Sequence, residues 1–255
     1  MTVVATVGTT HPLAFAGLGF AMLALADEGV RAVCVIAGVS AQDAAHVLAR
    51  SAVDAANIRA QFDAIRAANV DAFHVGALLS AESVHAVADS LATFPGVPVV
   101  VDPVLAASGG DALGDGATRE ALRDALFPRA TLVTPNLFEA SAFLGRSVAD
   151  VAAMHDAATA FLGLGARAAL IKGGHLEGAA VDVFADADAT CEFSSPRVEG
   201  TIRGTGDLLA VTIAACLARG ATLPEAIEHA RRRVREAIAR GVAFAGTRVA
   251  TFDSD

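Results

Sequence analysis

Six short runs of Val, Ile, Ala and other apolar residues recur along the chain, at positions 3–7, 32–36, 72–75, 97–101, 131–134 and 168–171. Each is apolar at consecutive positions instead of alternate ones, so as a strand each is buried on both faces and must be covered on both. The segments between them carry helical periodicity: 18–28 with a stop at Gly29, 54–68, 80–93, 118–126 and 151–164. Such alternation confines the chain to an α/β fold with a mostly parallel central sheet and helices on both faces. After Ile171 the pattern changes. Runs at 181–185 and 190–193 flank Asp186, Ala187 and Asp188, which predicts a β-hairpin, and two helices follow, one from Asp207 to near Gly220 and one from Pro224. With no linker, repeat or low-complexity tract, the expectation is a single domain over residues 1–255.

Charge and composition narrow the function. A net charge of −9 argues against nucleic acid or an anionic membrane as partner. Apolar runs are interrupted well before the roughly 20 residues of a membrane span, and no basic segment precedes an apolar one at the start, so a cytoplasmic protein is expected. Cys34, Cys191 and Cys216 lie far apart within apolar segments and read as small core residues of a reduced protein.

The segment Arg203-Gly204-Thr205-Gly206-Asp207 precedes the apolar run Leu208, Leu209, Ala210, Val211. A glycine-rich turn that opens a helix leaves backbone N–H groups unpaired at the positive end of the helix dipole, where an anion is favoured. Asp207, in the first turn, could take a proton from a hydroxyl that attacks a phosphate held there. The simpler alternative is capping, since Thr205 and Asp207 are good capping types.

Other polar residues fall at the carboxyl ends of the expected strands, where parallel sheets bind ligands. They are Gly8, Gln42, Asp102, Asn136 and Lys172. Asp102, before Pro103, suits a magnesium ion or serves as a turn former. Asn136 and Glu139 begin a helix with capping-box spacing, which explains them as well as phosphate chemistry does. Lys172, followed by Gly173 and Gly174, either holds a phosphate beside a backbone open to a nucleotide or is a solvated turn lysine; His175 caps or solvates the same turn. Several matches fail on context. The Gly163-Leu164-Gly165 stretch ends a helix and precedes a strand, the reverse of a dinucleotide fingerprint. No Walker A run or zincin His pair is present, Arg231, Arg232, Arg233 and Arg235 read as a solvated helix face, and Asp186 and Asp188 as turn chemistry.

Taken in order, Asp102-Pro103-Val104, Ser108-Gly109-Gly110-Asp111-Ala112-Leu113, Thr134-Pro135-Asn136 with Glu139-Ala140, Lys172-Gly173-Gly174-His175-Leu176-Glu177-Gly178 and Gly204-Thr205-Gly206-Asp207 resemble the ribokinase-like superfamily. The resemblance spans nearly the whole chain and is greatest to the hydroxymethylpyrimidine and phosphomethylpyrimidine kinases of thiamine biosynthesis. It implies a ribokinase-like three-layer sandwich, ATP with Mg2+, transfer of the γ-phosphoryl group to a small pyrimidine or vitamin alcohol, and a homodimer. By the same resemblance Asp102 and Glu139 serve the metal, while Asn136, Glu139, Lys172 and Gly173 contact the nucleotide. Gly204, Thr205 and Gly206 form the anion hole, Asp207 is the base, and Gly8, Gln42, Ala21 and Ala77 belong to the acceptor pocket.

The acceptor half departs from the family. Gly8-Thr9-Thr10-His11-Pro12-Leu13-Ala14-Phe15-Ala16-Gly17 replaces the usual Gly-Gly-Ala-Gly stretch, Ala21 stands where the family has a substrate-binding Asp, and Ala77 where it has Met. Asp at position 207 resembles the pyridoxal and sugar kinases, where thiamine-pathway kinases commonly have Cys. Two other functions therefore stay open, a pyridoxal-type vitamin kinase and a non-catalytic nucleotide- or pyrimidine-binding relative. The glycine-bearing loop from Ala106 to Gly116 is expected to close over substrates.

Overall fold

A computed structural model describes residues 1–174 and 176–252. In chain order the elements are β1 (Val3–Thr10), α1 (Gly17–Asp27), β2 (Arg31–Gln42), β3 (Val47–Ala52), α2 (Ala55–Ile65), β4 (Ala72–Val75), α3 (Ala81–Leu91), β5 (Val99–Val101), α4 (Gly116–Ala121), β6 (Leu132–Val133), α5 (Leu137–Leu144), α6 (Val151–Gly163), β7 (Ala168–Lys172), β8 (Ala180–Asp186), β9 (Thr190–Ser195), α7 (Thr205–Ala218), α8 (Leu223–Arg240), β10 (Val242–Phe244) and β11 (Thr247–Val249). The main sheet has nine strands in the order β3-β2-β1-β4-β5-β6-β7-β8-β9. The strands from β2 to β7 in that order run parallel, while β3, β8 and β9 are antiparallel to their neighbours.

Alternation along each strand splits the core in two. Val3, Ala5 and Val7 of β1, Phe73 and Val75 of β4, and Ala169 and Ile171 of β7 pack on one face with Ile58, Phe62, Val87, Met154 and Phe161. Val4, Ala72, Val100, Leu132 and Leu170 point the other way, against Phe20 and Leu25 of α1, Val211 and Ile213 of α7, and Ile227 of α8. Successive strand side chains point to opposite faces, so strands apolar at every position need helices on both sides. That is the three-layer arrangement expected from the sequence.

Differences lie mainly at the polar ends. Strand β2 runs on to Gln42 and returns as β3, which has one half-buried and five exposed residues. Segment 118–126 is helical only to Ala121 before a wider turn covers Leu122–Leu126. The β10–β11 hairpin had no signal in the apolar pattern. Cys191, expected in the core, is exposed on β9 because its strand is the outermost of the sheet. The arginine run is not simply a solvated face. Arg231 is buried and pairs with Asp182, and Arg233 pairs with Asp27 and Glu28. Among the described residues no helix is long and apolar enough to cross a membrane.

Candidate active site

Helix α7 begins where two elements come very close. Gly204, its N-cap, has φ +79°, and a Cβ there would lie 2.3 Å from the Phe15 carbonyl oxygen, so backbone freedom and space both require glycine. No side chain caps this helix, which leaves Thr205 and Asp207 outside the capping role considered from sequence. Gly206 allows a second close approach: its Cβ would stand 3.2 Å from both Asp102 Oδ2 and Lys172 Nζ. The α7 N-terminus therefore rests against a charged pair supplied by β5 and β7.

That pair is short and buried. Lys172 Nζ donates to Asp102 Oδ1 at 2.6 Å, and Thr134 Oγ1 donates to the same oxygen at 3.1 Å. Burial works against the ammonium charge, but the Asp102, Glu139 and Asp207 carboxylates together outweigh it and hold the lysine charged above its usual range. Lys172 is anchored on both sides: its amide donates to the Pro135 carbonyl at 2.8 Å, and Asp182 opposite it on β8 accepts the Gly173 amide at 2.9 Å. Gly173 has no room for a side chain, since a Cβ would lie 2.2 Å from the Val181 carbonyl oxygen.

Asn136 and Glu139 form the capping box that their spacing allows, Glu139 accepting from the Asn136 amide at 2.8 Å and Asn136 accepting from the Glu139 amide at 2.9 Å. Capping does not exhaust Glu139. Burial pushes its carboxyl up to about 7, with Lys172 pulling down and Asp102 and Asp207 pushing up. Asp207 is raised to about 7 as well, first by burial and then by Asp102, against the Gly17 amide and Lys172. Three acids and one lysine thus share one poorly solvated cluster. His74 lies beneath it with Nδ1 bonded to Thr6 Oγ1 at 2.9 Å and Nε2 unpartnered, and burial lowers it to about 4.

A cavity adjoins the cluster, and Asp207 belongs to its wall. Thr9, His11, Ser40, Gln42, Ala77 and Arg203 also line it. Of the four expected pocket positions, Gln42 and Ala77 are there. Gly8 is not, because it is an inner position of β1 facing the end of β4, where a Cβ would lie 3.4 Å from the Ala77 carbonyl oxygen. Ala21 is not either. It is fully buried on the face of α1 shared with Leu18, Ala24 and Leu25, so the helical phase turns it into the core. Asp102, Asn136, Glu139, Lys172 and Gly173 lie beyond Asp207, outside this cavity's lining. Sequence reasoning passed over His11, Ser40 and Arg203 as individual site residues. The altered first loop hinted at His11, and Arg203 belongs to the glycine-rich 203–207 segment. The 106–116 loop is folded as a tight hairpin against the β2–β3 turn, with Val47 N donating to Asp111 Oδ2 at 2.7 Å and the Gly109 Cβ position 2.3 Å from the Ala45 carbonyl oxygen. His175 lies outside the described residues.

An acid between a cavity and a lysine–carboxylate cluster, at a helix N-terminus, suits transfer of a phosphoryl group to a small molecule. Comparison with known proteins agrees. Residues 14–251 match the model of the family described as phosphomethylpyrimidine kinase. A hydroxymethylpyrimidine/phosphomethylpyrimidine kinase of Rhizobium meliloti is 41% identical over 214 residues, 82% of this chain and 80% of that one. The crystal structure of a phosphomethylpyrimidine kinase from Clostridium difficile superposes with a TM-score of 0.83 at 26% identity, covering 93% of this chain and 100% of the other. An ADP complex of Bacillus subtilis pyridoxal kinase gives 0.89 at 28% identity, over 99% and 97% of the two chains. By sequence and by fold, the chain belongs to the phosphomethylpyrimidine kinase family.

Proposed function

We propose that the chain is a single-domain kinase that uses ATP and Mg2+ to phosphorylate hydroxymethylpyrimidine, its phosphate, or both, in thiamine biosynthesis. The observation that carries the reading is the position of Asp207, in the wall of a cavity and against the Asp102–Lys172 pair. With the alcohol as acceptor, Asp207 takes the hydroxyl proton as the oxygen bonds to the γ-phosphorus of ATP. The bond from that phosphorus to the bridging oxygen breaks, and ADP leaves. Lys172 and the free amides at the start of α7 stabilise charge on the phosphoryl oxygens. A carboxyl raised to about 7 is well matched to a general base near neutral pH.

Among the described residues no group of three or more His, Cys, Asp or Glu could hold a metal ion by itself. Two neighbouring carboxylates nevertheless suit magnesium, which keeps several waters and takes one or two carboxylates together with substrate phosphates. Asp102 and Glu139 would hold it, and bound there it would neutralise phosphate charge. The family supports a cytoplasmic enzyme, and the exposed Val39 and Leu48 on the β2–β3 extension support a homodimer.

Pyridoxal phosphorylation is the second reading, favoured by Asp207, by Ala77 in the cavity wall and by the likeness to the Bacillus subtilis enzyme. Following phosphorus resonances during turnover separates the two. A new monophosphate ester from hydroxymethylpyrimidine, or a diphosphate from its phosphate, supports the first reading; an ester formed from pyridoxal alone replaces it with the second.

A further inference from the structure

The cavity beside Asp207 has a wall of mixed charge. Asp43 and Asp207 are its acids, and Arg203 is the one lysine or arginine among the described residues that line it. The other basic side chains of the wall are imidazoles. Burial lowers the pKa of His11, and Nδ1 of His46 stands 3.6 Å from Asp111 Oδ2. A guanidinium keeps its charge at any pH the fold survives, so Arg203 is the permanent cation there.

This guanidinium is held at one end and open at the other. Arg203 precedes Gly204, the N-cap of α7, and its backbone amide donates to the Arg248 carbonyl at 2.9 Å. The side chain crosses to the β2–β3 turn, where Nη2 donates to the carbonyl of Ala44, itself a wall residue. Nε and Nη1 have no partner among the described residues, yet neither is shielded from solvent. No ion pair joins Arg203 to a carboxylate among those residues, whereas Arg231 and Arg233 are both paired. Asp207, four residues on, lines the same cavity from the first turn of α7.

A half-buried arginine with no carboxylate, opening on a cavity, is matched by an anionic ligand. A planar group with five N–H donors, one of them used, has enough left for two oxygens of one anion. A phosphate monoester carries close to two negative charges near neutral pH, and without Arg203 it would face only Asp43 and Asp207 as fixed charges.

We infer that Arg203 is a specificity-determining residue: it receives the phosphate of an acceptor already phosphorylated once, and so raises selectivity for the monophosphate ester over the free alcohol. This rests on the kinase reading above. In that transfer an oxygen of the bound ester phosphate bonds to the γ-phosphorus of ATP. The bond from that phosphorus to the bridging oxygen breaks, and ADP leaves. Two highly charged groups must meet, and a fixed cation beside them offsets part of the repulsion.

Two substitutions separate this role from a tie that only shapes the wall. R203Q keeps a donor for the Ala44 carbonyl but no charge, and R203K keeps the charge. Turnover of the full chain with magnesium and ATP is measured with hydroxymethylpyrimidine and with its phosphate as separate acceptors. In R203Q the kcat/KM for the phosphate should fall roughly 10- to 100-fold relative to that for the alcohol, mainly through KM, and R203K should recover part of that ratio. Calorimetry without ATP should show the same relative loss of affinity for the phosphate, and in the wild type that affinity should weaken with added salt more than affinity for the alcohol does. Equal losses with the two acceptors would assign Arg203 to the wall or to ATP and overturn the inference, leaving the kinase reading standing. A wild type that phosphorylates the free alcohol or pyridoxal but not the ester would do the same. Turnover of none of the three would overturn the kinase reading as well.

Discussion

Replacing Asp207 with Asn should make the protein more stable and nearly inactive at once. Asp207 ordinarily ionises at 3.8 but in the folded chain does so only at about 7, mainly through burial and the Asp102 charge. Between those two values the folded state holds a proton that the unfolded chain has released. Stability therefore falls as pH rises through that window, and the deficit is complete above about pH 7. The full difference corresponds to on the order of 4 kcal/mol, and about 2 kcal/mol is a fair expectation for a side chain reached by solvent through the cavity. Asn has nearly the same shape, still accepts from the Gly17 amide and carries no charge, so urea unfolding near pH 8 should show D207N more stable by about 2 kcal/mol. The gain should shrink as pH falls and vanish below about pH 3, where the carboxyl is protonated in both states. Turnover should fall roughly 100- to 10,000-fold with ATP affinity little changed. A variant destabilised near pH 8 would refute the claim that this carboxylate is held against its solvation preference, and near-normal turnover would refute its role as base.

Lys172→Met should leave Asp102 buried without its partner, costing about 3–5 kcal/mol in urea unfolding and raising the KM for ATP; unchanged stability would show that the pair is solvated after all. Ala at position 204 should lower the thermal midpoint, since the left-handed conformation alone costs about 1–2 kcal/mol before its Cβ meets the Phe15 carbonyl. Arg231→Met removes the partner of Asp182, whose other oxygen holds the Gly173 amide. It should destabilise by about 3 kcal/mol and raise the KM for ATP more than it lowers kcat, and an effect on kcat alone would contradict that coupling.

The sheet was legible because strands covered on both faces must be apolar at every position, a pattern that survives without alignment. The residues of the charged cluster were legible for a related reason. Asp102, Asn136, Glu139, Lys172 and the 204–207 turn sit at the ends of those strands, or at helix starts, where charge and glycine interrupt an apolar text. The cavity side was written in weaker signals. Strand β3 carries almost no buried side chain, so nothing in its sequence marks it as a strand until β2 is seen to extend beyond the core. Ala21 looked like a pocket position by family resemblance, and only the phase of α1 shows that it faces inward. His11 gave no signal as a single residue. Its ring is tied to the Ala16 amide, five residues away across a turn that no periodicity predicts.

The most direct test of the account is magnesium-dependent ATP consumption by the wild type against hydroxymethylpyrimidine, its phosphate, pyridoxal and hydroxyethylthiazole, with D207N as control. The account predicts turnover with the pyrimidines, kcat/KM falling about tenfold per pH unit below about pH 7 as Asp207 is protonated, and loss of both in D207N. ATP that binds but is not consumed with any of the four, or consumption that D207N leaves intact, would contradict it.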